Sequence, residues 1–103
     1  GLAVLEALGA VIEPLPPPFP AEALWSAWVT LRAMLTAESK RDLAADPDKR
    51  SLTKPETIWE IEQGKGQSAQ QVYAASVIRS RWHAHAARLF DRYDAVVLPS
   101  AQV

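Results

Sequence analysis

Five prolines between residues 14 and 20 (Pro14, Pro16, Pro17, Pro18 and Pro20) divide this chain more sharply than any other feature. Each locks φ and removes a backbone N–H, so neither a regular helix nor a central strand can run through the stretch. What precedes it must therefore be a short element. Leu2, Leu5 and Leu8 recur at three-residue spacing and predict the end of a helix that starts before Gly1. Gly9 suits the left-handed position that closes such a helix. Ala10-Val11-Ile12-Glu13 then reads as a short strand stopped by Pro14.

Downstream of the proline arm the pattern is helical. Pro20 suits the first turn of a helix, where its missing N–H costs little. Leu24, Trp28, Leu31 and Leu35 follow at spacings of four, three and four, giving the 21–38 helix an apolar face that Trp25, Val29 and Met34 widen. Residues 38–50 are charged and mixed in sign, with a short helix predicted before Asp46-Pro47. Thr53 with Glu56 fits a capping box with Pro55 in the first turn, opening a helix that ends at Gly64. Gly64-Lys65-Gly66 reads as a flexible turn, and Ser68 with Gln71 repeats the capping logic for the longest helix, to about Arg92. Along it Ile78, Trp82, His85, Leu89 and Tyr93 fall close to one face. Tyr93-Asp94 ends this helix, and the apolar run Ala95 to Leu98 before Pro99-Ser100 reads as a second buried strand. The fold class is thus mainly α, an α+β fragment of three to four helices with two short strands. Its three stretches are 1–20, the helical 21–93 and the terminal strand 94–103.

At 103 residues, chains of this size bury about two-thirds of their unfolded surface and build one modest core. Nearly half the residues are apolar, which excludes a disordered tail. No apolar run approaches the length of a membrane span, and the first residues lack the basic region and cleavage site of a signal peptide. A cytoplasmic location without membrane contact is expected. With no cysteine there are no disulfides or thiolate metal sites, and a net charge of −1 with interspersed signs argues against a nucleic-acid partner.

The ending Tyr93-Asp94-Ala95-Val96-Val97-Leu98-Pro99-Ser100, taken with Pro55 to Gly64 and Ser68 to Tyr73, resembles the C-terminal part of amidase signature enzymes. The helix, Gly9, short strand and proline arm at the start resemble that family's return to its central sheet. The likeness spans nearly the whole chain. It implies a mixed α/β sheet in a longer parent, hydrolysis of linear amides, and a catalytic serine, a second serine in a cis peptide and a lysine lying upstream. None of Ser26, Ser39, Ser51, Ser68, Ser76, Ser80 and Ser100 sits in a Gly/Ser-rich context, and the four lysines lie in polar stretches where they stay protonated. No catalytic residue is expected within the chain, nor a cofactor.

The remaining candidates divide between structure and binding. His83 and His85 point to nearly opposite sides of a helix and cannot chelate one metal, so no metal site is expected, and His85 packs at the edge of the apolar face. Gly64-Lys65-Gly66-Gln67-Ser68 lacks the spacing of a phosphate loop. Glu56 and Glu60 read as a solvated face with nothing nearby to perturb them. Glu62 lies at a helix end that disfavours a carboxylate, so a structural hydrogen-bond partner is expected for it. Trp28 and Trp82 are expected in the core, and Trp25 and Trp59 on a pocket wall or a docking face. By the family resemblance, Trp59, Pro99 and Ser100 line the substrate pocket, although Ser100 reads equally as a turn hydroxyl bonded to its own backbone. The partners so implied are the remainder of an amidase chain and a small amide, with self-association where the Trp surface and strand edges lack cover. A free-standing helical interaction module and an amidotransferase subunit are the rival readings.

Overall fold

The computed structural model describes residues 1–98. Six helices follow in order: α1 (Leu2–Ala7), α2 (Ala21–Ser39), α3 (Arg41–Ala45), α4 (Pro47–Ser51), α5 (Pro55–Lys65) and α6 (Ala69–Leu89). The chain is mainly helical, as its periodicity predicts, but the charged stretch forms two short helices instead of one. Asp46 explains the break. Its side chain accepts from the N–H groups of Asp48 and Lys49 at 3.0 and 3.2 Å, capping α4 with Pro47 as its first residue. Among the described residues no helix is long and apolar enough to cross a membrane.

Local signals set most boundaries. At the end of α1, Gly9 takes φ 95° while its N–H reaches the Glu6 carbonyl at 2.9 Å and the Ala10 N–H reaches that of Leu5 at 3.0 Å. This is the paired bonding of a glycine-terminated helix. At α6 the Ser68 hydroxyl accepts from Gln71 N–H at 3.2 Å, and the Gln71 side chain accepts from Ser68 N–H at 2.7 Å. The box expected at Thr53 and Glu56 does not form. The Thr53 hydroxyl donates instead to the Lys49 carbonyl at 2.8 Å, and α5 starts one residue later, with Pro55 in its first turn.

The two strands expected at residues 10–13 and 95–98 are absent among the described residues. A strand is stable only when its backbone groups find a ladder, and these segments make no such bonds with one another. They take no regular secondary structure, with Val11 88% and Leu98 72% exposed. A single ion pair ties their neighbourhoods together, Arg92 Nη2 to Glu13 Oε2 at 2.6 Å.

Packing centres on α2, which lies against both α5 and α6. Apart from Ile61, the residues buried there are small. Ala27 and Ala33 of α2, Ile61 and Gly64 of α5 and Ala75 of α6 are the buried positions of these three helices, whereas Leu35 is exposed and Leu24 and Leu31 only half-buried. Gly64 explains why. A Cβ on Gly64 would fall on the Ala33 carbonyl and lie 2.6 Å from Ala37 Cβ, so α5 crosses α2 backbone against backbone. Gly64 is thus a packing residue inside the last turn of α5, not part of a flexible turn. α6 ends at Leu89, short of the expected Arg92, and Ile78, Trp82, His85 and Leu89 on its expected face are half-buried, as is Tyr93 beyond its end.

The result is extended. The radius of gyration is 18.8 Å, against about 13 Å for a compact domain of this length. The accessible surface is 8370 Å², where about 5,700 Å² is usual for a folded chain of 11.3 kDa. Folding therefore removes about half of the unfolded chain's surface, less than the two-thirds its length leads one to expect.

Candidate functional site

One face of α2 carries Trp25, Trp28, Val29, Arg32 and Ala33 at spacings of three, one, three and one, the register that aligns side chains on one side of a helix. The α5 crossing brings Trp59 and Glu60 alongside. Together these seven residues line an open cleft of about 410 Å³. Trp25 and Trp28 stack with ring centroids 5.0 Å apart and planes inclined by 22°. Their exposures of 65% and 47%, with 57% for Trp59, leave three indoles largely facing solvent.

The floor of the cleft is polar and internally satisfied. Arg32 Nε donates to Glu60 Oε1 at 2.6 Å, and Arg32 Nη2 lies 3.5 Å from Oε2. The Thr36 hydroxyl donates to Oε2 at 3.3 Å. The guanidinium carbon also sits 5.1 Å from the centroid of Trp28, so one side chain makes an ion pair and a cation–π contact together. The hydrogen bond from Arg32 is the main reason the Glu60 carboxyl is held below its ordinary range, and the same bond raises Arg32. Both groups are thereby fixed in their charged forms. The cleft offers flat apolar walls and a paired, ionised floor, an arrangement suited to packing and recognition. Among the described residues there is no cluster of three or more metal-ligating side chains.

A second polar site stands between α4 and α5. Glu62 accepts from Arg50 Nη1 at 3.1 Å and from Lys65 Nζ at 3.5 Å, and the Arg50 bond is foremost in lowering its pKa. These are the partners that its position at a helix end calls for. A second aromatic group sits on α6: Trp82 meets Phe19 edge-on at 5.8 Å and stacks with His85 at 6.2 Å, pinning the proline arm to the helix.

Set against the sequence, Trp59 does stand on a cleft, with Trp25 beside it. Pro99 and Ser100 lie outside the described residues. Trp28, expected in the core, instead forms part of the exposed aromatic wall, because the alanines of α2 take the buried positions. Trp82 is half-buried beneath Phe19. Glu60, read as a solvated carboxylate with nothing near it, is half-buried and paired. Arg32 carries little signal in the sequence beyond its place one turn past Trp28. Comparison of the chain with protein-family models, curated proteins and solved structures returns no match.

Proposed function

We propose that this chain is the C-terminal segment of an amide hydrolase of the amidase signature type, completing the enzyme's core and walling its substrate cleft while the Ser-cisSer-Lys chemistry lies outside residues 1–103. One observation carries the reading beyond the sequence resemblance. The chain leaves about 2,600 Å² more surface in water than a self-sufficient protein of its mass. That excess is what a segment presents when the polypeptide it packs against is removed. The apolar stretches Val11 to Ile12 and Val96 to Leu98 fit the same role, since each supplies a strand's side chains without a strand's partner. Trp59 and Trp25 on the α2–α5 cleft are the proposed wall, with Pro99 and Ser100 contributing from the terminal segment by resemblance. The enzyme so completed acts on linear amides in the cytoplasm.

The test is ammonia release from a panel of aliphatic and aromatic amides, measured for the 103-residue chain and for the product of the longer reading frame. Turnover by the longer protein alone is expected. Turnover by the 103-residue chain places a nucleophile within it and overturns the assignment. The exposed tryptophans also favour a helical interaction module with no enzymatic parent, and a reading frame lacking an upstream Gly/Ser-rich double-serine motif would decide for that alternative.

A further inference from the structure

We propose that the aromatic α2–α5 face joins two copies of this chain in a two-fold dimer, with Trp25, Trp28 and Trp59 at its centre. This face is the one that the amidase reading makes a cleft wall, so the dimer is a property of the 103-residue chain by itself, which leaves all three indoles without cover. Area is the first argument. Obligate homodimers bury about 2,000–5,000 Å² in total, or about 1,000–2,500 Å² per copy. The surplus surface of the whole chain, about 2,600 Å², is large enough to include an interface of that size, and the three exposed indoles of this face are part of it.

Composition is the second. Interface centres are enriched in tryptophan and arginine, and this face concentrates three of the chain's four tryptophans around Arg32. Each indole presents a broad apolar surface at small conformational cost, and none of the three is buried by the chain itself.

Charge is the third. A two-fold interface brings a patch against itself, so a patch of one sign repels its own copy. Here Arg32 and Glu60 sit side by side with opposite charges. A two-fold axis that passes between them, at right angles to the line joining them, sets Arg32 of one copy toward Glu60 of the other, and in that arrangement the face is complementary to itself. The ends at residues 10–13 and 95–98 also have an ion pair between their neighbourhoods, Arg92 with Glu13, but neither stretch contains a tryptophan.

Sedimentation velocity from nanomolar to tens of micromolar concentration reads the dimer directly, with far-UV circular dichroism confirming helix content in every variant. Trp25→Ala and Trp59→Ala should each weaken dimerisation by about 30-fold or more, the effect of losing a central interface anchor. A second arm isolates contact across the two-fold axis. Arg32→Glu and Glu60→Arg should each be monomeric alone, the first carrying two acids on the face and the second two bases. Mixed together, they should form a one-to-one dimer. A wild-type chain that stays monomeric throughout overturns the proposal, and so does a dimer that survives both tryptophan substitutions or a mixture that fails to pair.

Discussion

Gly64→Ala should destabilise this chain even though alanine is the better helix former. The propensity gain is about 1 kcal/mol. Against it stands the crossing with α2, where the new Cβ would land on the Ala33 carbonyl and 2.6 Å from Ala37 Cβ. Carbon atoms pack at about 3.5–4.0 Å, so α5 must retreat by about 1 Å along the line that also buries Ile61. Overpacking of this kind costs about 1–3 kcal/mol, and the upper part of that range applies because the obstruction is backbone and cannot swing aside. The net loss is then about 1–2 kcal/mol, or a Tm lowered by about 4–16 °C for a domain of this size. Gly66 supplies the control two residues away. It caps α5 with φ −79° and ψ −6°, and its nearest obstruction is the Gln63 carbonyl at 3.6 Å, an ordinary contact. Gly66→Ala should therefore raise stability by about 0.4–1 kcal/mol through the unfolded chain's reduced freedom. Thermal and urea unfolding followed by circular dichroism, at one fixed protein concentration, compare the two. A Gly64→Ala chain as stable as wild type would refute the close crossing.

Two further outcomes follow from the polar and aromatic contacts. Glu60, Glu62 and Asp46 are carboxylates whose folded-state pKa values are depressed, chiefly by bonds from Arg32, Arg50 and the Lys49 backbone respectively. Their contribution is complete above the unfolded value and drains away as pH falls through the folded one, so urea midpoints should drop on acidification from about pH 4.3 downward. Glu60→Gln should make that decline shallower, and superimposable acid profiles for variant and wild type would break the link. Trp82→Ala should cost about 2 kcal/mol, less than the 3–5 kcal/mol of a fully enclosed aromatic, and should free the proline arm. Phe19 ring resonances moving to random-coil positions by NMR would register that release, and unchanged ones would contradict it.

The features legible in the sequence are those whose chemistry closes within a few residues. Gly9 terminates α1 and Ser68 with Gln71 starts α6 through bonds spanning three to five positions, and local pattern suffices for both. Thr53 misleads for an equally local reason that only the folded chain reveals: α4 ends just before it and offers the Lys49 carbonyl to its hydroxyl. The strands fail because a ladder partner cannot be read from the strand itself. The core misleads through size. Leu35 and Trp28 are the apolar residues that periodicity marks, yet close approach of helices selects Ala27, Ala33 and Gly64. Arg32 and Glu60 stand 28 residues apart, and nothing in either segment announces their pairing.

The large surface left in water also sets how this molecule responds to heat. Unfolding raises heat capacity mainly by wetting apolar surface, and a typical chain of this length gains about 1.2–1.5 kcal/mol/K. With roughly three-quarters of the usual area buried, this chain gains about 1 kcal/mol/K. Its curve of free energy against temperature is correspondingly shallow, with a modest enthalpy at the midpoint and a transition spread over a wide interval. A chain that leaves this much of its surface in water is thus one that softens gradually on warming.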